Sequence, residues 1–165
     1  MIDLAYIGGF FDADGSVSLV RTTKQSKSME APRIINTPQL NIGQADAGLL
    51  NEISKTIGGK VFKTSNKGDI SKYGITKNRD GYSLLLSNKS AIKAAKELLP
   101  FTYSKRQELL EVILFHETYC NFTKGWARHR HINPEYYRRL AIENAAGDAV
   151  RAKLKNIRLN KDTFS

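Results

Sequence analysis

Two aspartates one residue apart, Asp12 and Asp14, close an apolar stretch that reads LAYIGGFFDADGS from Leu4 to Ser16. Taken as a helix, the stretch sets both carboxylates at its C-terminal end, where the macrodipole disfavours anions. A carboxylate held against that field favours a cation. Hard oxygen ligands suit Mg²⁺, which keeps several waters and also takes phosphate oxygens. Asp14 is the expected ligand, beside the free helix-end carbonyl of Ala13, while Asp12 caps or bonds locally. The alternative for these residues is a solvated Asp-x-Asp-Gly turn.

One aspartate per chain is a thin site. Positions four apart share a helix face, so Ala5, Gly9 and Ala13 form a ridge of small residues that Gly8 widens. Glycine costs roughly 0.5–1 kcal/mol relative to alanine inside a helix, so two in a row imply a close neighbour. That neighbour is either the chain's own sheet or a second chain. A second chain would bring two Asp14 carboxylates together, as a multi-metal phosphodiesterase centre needs.

The pattern beyond this stretch supplies the elements that position it. A helix over residues 2–12 ends at Gly15-Ser16, with the glycine expected in the permissive C-terminal conformation. Strands follow over 17–23 and 33–43, separated by a polar loop, and Pro38 inside the second implies an edge or a bulge. Asp46 reads as an N-cap for a helix through Ile57, which Gly58-Gly59 stops. A second strand pair covers 60–65 and 82–86. Its long polar connection, 66–81, is either an arm or an extension of the hairpin. Asn88 or Ser90 starts a helix to about Leu98, which Pro100 breaks. Another helix runs over 104–119, with Leu109, Leu110, Val112, Ile113 and Phe115 as its apolar side. The order α-β-β-α-β-β-α predicts an α+β fold, an antiparallel sheet with helices on one face. Residues 121–134 read as loop, and 135–160 as helix broken near Gly147. One domain is expected over 1–165, with a core of about 2–120 and a basic helical extension of about 121–165.

The chain has 165 residues and a net charge of +10, with 41% apolar and 25% charged residues, a globular balance on a basic surface. Such a surface suits phosphate backbones or anionic membranes. No apolar run is long enough to span a bilayer, and no signal peptide is evident. A single cysteine, Cys120, leaves no internal disulfide and suits a reducing compartment. With His116, His129 and His131 it matches no standard zinc spacing. Lys67, Lys72, Lys77 and Arg79 in the long connection, and Arg128, Arg130, Arg138 and Arg139 near the end, are candidate phosphate contacts that add affinity rather than specificity. Trp126, Tyr136 and Tyr137 read as packing residues.

Ile7-Gly8-Gly9-Phe10-Phe11-Asp12-Ala13-Asp14-Gly15 resembles the LAGLIDADG motif of homing endonucleases. Both acids and the final glycine are in place, and the first two positions depart conservatively from Leu-Ala. Gln39-Leu-Asn-Ile-Gly-Gln44-Ala-Asp46 is similar to the family's second strand entering its next helix. Pro100-Phe101 with Lys105-Arg106-Gln107 is similar to the stretch that holds the family's active-site lysine. The likeness spans about residues 4–120 and implies the same αββαββα order, with a saddle-shaped sheet facing DNA. It implies a site-specific, intron-encoded type of endonuclease, a homodimer that hydrolyses both strands of a long pseudo-palindromic site and leaves short 3′ extensions. Mg²⁺ is the implied cofactor, with Mn²⁺ or Ca²⁺ able to substitute in binding. Asp14 would be catalytic and a metal ligand with Ala13. Gln44 would position water, and Lys105 would stabilise charge on the phosphorane.

The small-residue ridge, with Gly8 and Asp12, is the expected seam between subunits (Ala5, Gly8, Gly9, Asp12 and Ala13), with Asp12 in a structural role. Counting forward by analogy with the family, the DNA-facing set is Ser18, Val20, Thr22 and Lys24 on the first strand. On the second strand it is Arg33, Ile35, Thr37, Gln39 and Asn41, and on the second pair Lys63, Ser65 and Ser83. An RNA-binding intron maturase or a non-cleaving DNA-binding protein on the same fold is the alternative, and retention of both acids favours the nuclease. The expected setting is intracellular, an organelle or an archaeal or bacterial cytoplasm.

Overall fold

A computed structural model describes residues 2–24, 33–71, 74–119 and 134–162. Trp126, Arg128, Arg130, Lys72, Cys120, His129 and His131 lie outside these residues, as do the side chains of Lys24 and Arg33. Helix α1 (Leu4–Asp14) leads into strands β1 (Gly15–Lys24) and β2 (Arg33–Gln44), then helix α2 (Ala47–Ile57). Strands β3 (Lys60–Ser65) and β4 (Gly81–Ser87) follow, then α3 (Lys89–Leu98), a 3₁₀ turn (Leu99–Phe101), α4 (Arg106–Tyr119) and α5 (Pro134–Asp162). The fold is α+β, in the expected order, around a four-stranded sheet in the order β1-β2-β4-β3. No helix among the described residues is long and apolar enough to cross a membrane.

The chain divides into two compact units. The first comprises Met1–Val17 and Gln39–Arg106. In it β4 pairs antiparallel with β2, Leu40 opposite Leu86 and Ile42 opposite Leu84. Partners across a ladder share a face, so these four aliphatics point one way, and all four are buried. Ile7 and Phe11 of α1, Leu50, Ile53 and Ile57 of α2, and Ala91, Ala94, Ala95 and Leu98 of α3 complete this core. Asp46 caps α2 as its position predicts, accepting from the N–H groups of Gly48 (2.7 Å) and Leu49 (3.3 Å). The long connection extends the β3–β4 hairpin in part. Ile70 bridges to Thr76, and the Lys77 N–H donates to the Asp69 carbonyl at 2.9 Å.

The second unit comprises Ser18–Pro38 and Gln107–Ser165. Leu109, Val112, Ile113 and Phe115 of α4 are buried with Tyr136, Val150 and Leu154 of α5 and Leu19 of β1. Leu110 is not part of this core; it is 46% exposed, whereas Glu108, two residues earlier, is fully buried. Lys161 (2.9 Å) and Arg158 (3.4 Å) donate to the Glu108 carboxylate, which satisfies a charge that would otherwise be costly to bury.

Three glycines behave differently from the sequence expectation. Gly15 is extended (φ −81°, ψ 156°), not left-handed; a Cβ there would lie 2.4 Å from the Phe11 carbonyl, so close approach is what requires glycine. Gly147 does not break α5, which runs unbroken from Pro134 to Asp162. Gly8 and Gly9 face different surroundings. A Cβ on Gly8 would lie 2.5 Å from Phe101 Cβ, whereas one on Gly9 would meet nothing within 4 Å. Gly8→Ala should therefore lower the unfolding free energy by about 1–3 kcal/mol through overpacking. Gly9→Ala, read by the same urea titration, should instead raise it by about 0.5–1 kcal/mol, the helix-propensity gain of alanine over glycine where no described residue is close enough to clash.

Candidate active site

The C-terminal turn of α1 exposes one carboxylate and half-buries the other. Residues Ile7 and Phe11 anchor the helix at zero exposure. Asp12 and Asp14 stand two positions apart, about 200° around the axis, so they cannot share a face.

Asp12 turns toward its own chain. One carboxylate oxygen accepts from the N–H groups of Tyr103 (2.5 Å) and Ser104 (3.2 Å), and the other from the N–H of Lys105 (3.0 Å). The Ser104 hydroxyl donates to the Asp12 carbonyl at 3.2 Å. Partial burial raises the Asp12 pKa, but the three backbone N–H groups and the Ser104 hydroxyl outweigh it and hold the carboxyl below the ordinary aspartate value of 3.8. Asp12, expected at the seam, thus spends its acceptors on the turn that carries Lys105. Lys105 is itself half-buried.

Asp14 turns outward and is exposed, as is Ala13 beside it. Gln44, at the end of β2, donates from Nε2 to Asp14 Oδ2 at 3.3 Å. The Gln44 orientation is set locally, because its Oε1 accepts from the Ala45 N–H at 2.7 Å. The amide therefore presents only donors to Asp14. From this pose Gln44 steers one Asp14 oxygen and retains a second N–H for a water or a phosphate oxygen. Asp14, Gln44 and the Lys105 turn are in this way gathered on one end of α1, all within the first unit. Among the described residues no three His, Cys, Asp or Glu side chains cluster, and at this end of α1 Asp14 is the carboxylate left facing outward.

Ala5, Gly9 and Ala13 are all exposed and lie along one face, flanked by Tyr6, whose ring stacks at 6.2 Å on that of Phe10. Gly8 does not widen this ridge, because Phe101 occupies its space.

The strand residues sort by register. Gln39 and Asn41 stand opposite Ser87 and Leu85, on the face away from the buried Leu40 and Ile42. Ser83 shares that face but is 3% exposed; its hydroxyl donates to Asn41 Oδ1, which leaves the Asn41 amino group to point outward. A register shift between Lys63 and Ser65 breaks the expected alternation. Ser65 pairs with Gly81 and stays in phase with Ser83, whereas Lys63 pairs with Tyr82 and faces the other way. Lys63 is also engaged, 2.9 Å from Asp80, whose hydrogen bond holds the lysine pKa up. Phe62, opposite Ser83 and 40% exposed, occupies the place expected for Lys63; an apolar residue gave no polar signal to find it by.

In the second unit, Val20, Ile35, Thr37 and Ser18 are half-buried and Thr22 is exposed. Lys67, Lys77 and Arg79 are exposed. Arg138 and Arg139 both pair with Glu135, at 3.0 and 2.9 Å.

The family model described as LAGLIDADG endonuclease matches residues 7–88. Solved structures with the same fold include the homing endonuclease I-CvuI in complex with its target in the presence of 2 mM Ca (18% identity, TM-score 0.57, covering 93% of each chain). They also include an archaeal intron-encoded homing endonuclease, I-Vdi141I, complexed with DNA (16% identity, TM-score 0.55, covering 94% of this chain and 96% of that one). The meganuclease I-SmaMI bound to uncleavable DNA matches at 18% identity and TM-score 0.55, over 88% of this chain but 44% of its own. Among curated proteins no sequence matches the chain. With the DADG stretch at the end of α1 and the αββαββα order both in place, the chain belongs to the LAGLIDADG endonuclease family.

The Asp12 contacts predict a stability effect with a pH signature. Asp12→Ala should lower the unfolding free energy by about 1–2 kcal/mol at neutral pH. Because the folded-state pKa is depressed, this contribution is complete above the unfolded value of 3.8 and fades as pH falls through the folded value. Chemical denaturation of the two proteins should therefore converge in acid, and a gap that widened below pH 4 would contradict the assignment.

Proposed function

We propose that the chain is a site-specific DNA endonuclease that acts as a homodimer with a divalent cation. The observation that supports this best is the outward, Gln44-steered carboxylate of Asp14 at the end of an exposed small-residue ridge. The donors fit a hard cation. Asp14 is an exposed carboxylate at the negative end of the α1 dipole, and the Ala13 carbonyl lies in the same helix end. A divalent cation bound there would neutralise phosphodiester charge and lower the pKa of an attacking water. Gln44 orients the Asp14 oxygen and gives its remaining N–H to a water or to phosphate. Lys105, on the turn fixed by Asp12, supplies positive charge for the phosphorane. None of these residues needs to act as a strong base.

One outward carboxylate at the end of α1 calls for a second from another chain, and Ala5, Gly9 and Ala13 let two helices approach closely. The match to less than half of I-SmaMI agrees with one chain being one half of a working enzyme. The net charge of +10 suits the phosphate backbone. Ile35, Thr37, Gln39 and Asn41 of β2, with Ser18, Val20 and Thr22 of β1 and Ser65 of β3, are the side chains assigned to the DNA, and Lys67, Lys77 and Arg79 to its phosphates.

The test uses a duplex library from which cleaved sites are recovered. Asp14→Asn should reduce Mg²⁺-dependent double-strand cleavage of a selected site to background while retaining binding. Selective binding without cleavage by the unaltered chain would refute the enzyme reading. No described residue lies within 4 Å of a Cβ at Gly9, so Gly9→Leu should leave the fold intact and sediment as a monomer where the unaltered chain should sediment as a dimer; an active Gly9→Leu dimer would refute the ridge as the seam.

A further inference from the structure

A carboxamide buried in a strand is an unfavourable choice unless both of its ends are bonded. Asn36 of β2 is 8% exposed. Its Oδ1 accepts from Arg151 Nη1 at 2.7 Å, and its Nδ2 donates to Asn144 Oδ1 at 3.3 Å, both partners on α5. Arg151 also donates through Nη2 to Asp148 Oδ1 at 2.5 Å. The same Asp148 oxygen accepts from Arg21 Nη1 of β1 at 3.2 Å. In the middle of this set is Gly147. A Cβ there would come 2.7 Å from Asn36 Cγ, so α5 lies directly on the strand at this point. One stretch of α5, Asn144 to Arg151, thus bonds side chains from two strands at once.

Arg21 and Asn36 face α5. Side chains alternate along a strand, so Val20 and Thr22 on β1, and Ile35 and Thr37 on β2, face the opposite way. We infer that Asn36 and Arg21 are positioning residues for sequence discrimination: through the Gly147 contact with α5 they hold β1 and β2 from behind, so that Val20, Thr22, Ile35 and Thr37 meet base edges in one geometry. This rests on the DNA-binding reading above. An apolar contact at this point would tolerate sliding, because hydrophobic surfaces repack at small cost. A polar network that bonds both ends of the Asn36 amide is directional and favours one arrangement. Base readout depends on that arrangement through directional contacts, whereas phosphate contacts position the protein without reading sequence. Disturbing the network should therefore alter discrimination before it alters overall affinity or cleavage.

The experiment selects binding sites from a randomised duplex library with the full chain, its Asn36→Leu variant and its Gly147→Ala variant. Relative base preferences do not depend on the fraction of protein folded, so loss of stability alone cannot change them. Base pairs read by these strands are marked as those whose preference changes in Thr37→Ala. At those pairs Asn36→Leu and Gly147→Ala should flatten the preference on the order of tenfold, with other pairs unchanged and the cleavage rate of the bound complex within about twofold. Arg21→Gln, which removes only an exposed ion pair, folds in any case and should flatten the same pairs to a smaller degree. Selection by the unaltered chain together with unchanged profiles in all three variants overturns the inference and leaves the functional reading standing. If the unaltered chain enriches no sequence, the functional reading fails and the inference falls with it.

Discussion

The carboxylate of Asp12 is the interaction on which the site depends. It gathers three backbone N–H groups from Tyr103 to Lys105, across more than ninety residues of sequence, and so ties the end of α1 to the turn that leads into α4. Charge-assisted bonds of this kind are about twice as strong as neutral ones. Here they also remove Asp12 from competition for a cation. Asp14, two residues on, is left exposed, with Gln44 steering one of its oxygens. Two adjacent acids of one motif thus do opposite things: one closes the chain on itself, the other faces outward.

The glycines of α1 divide in the same manner. Gly8 has no side chain because Phe101 fills its space, which is a requirement of the chain alone. A Cβ on Gly9, between Ala5 and Ala13, would meet none of the described residues within 4 Å. A glycine whose size none of the described residues requires, in a helix where it lowers stability, is what the proposed pairing of two chains would account for. The basic charge is divided too. On α5, Arg138 and Arg139 pair with Glu135, Lys153 with Glu111, and Arg158 and Lys161 with the buried Glu108. Much of the positive charge near the C-terminus therefore builds the second unit, while Lys67, Lys77 and Arg79 remain exposed.

The element order was legible in the sequence because it rests on local signals: the Asp46 cap, the Gly58-Gly59 stop and the apolar spacing of each helix. What was not legible rests on partners far away in the chain. Gly147 reads as a helix breaker until Asn36, more than a hundred residues earlier, is seen to need its missing side chain. Glu108 reads as a surface acid until Arg158 and Lys161 arrive. Lys63 reads as in phase with Ser65, and one register shift reverses it. For the site, helix spacing alone separates Asp12 from Asp14. The identity of the Asp12 partners is backbone geometry, which no side-chain pattern records.

Anomalous diffraction from crystals of the protein–DNA complex grown with Mn²⁺ addresses the central claim, that Asp14 and not Asp12 meets the cation. A peak at coordination distance from the Asp14 carboxylate, with Asp12 still bonded to Tyr103–Lys105, is the expected result. A peak on Asp12, or density showing Asp14 turned inward and uncoordinated beside bound metal, would contradict it.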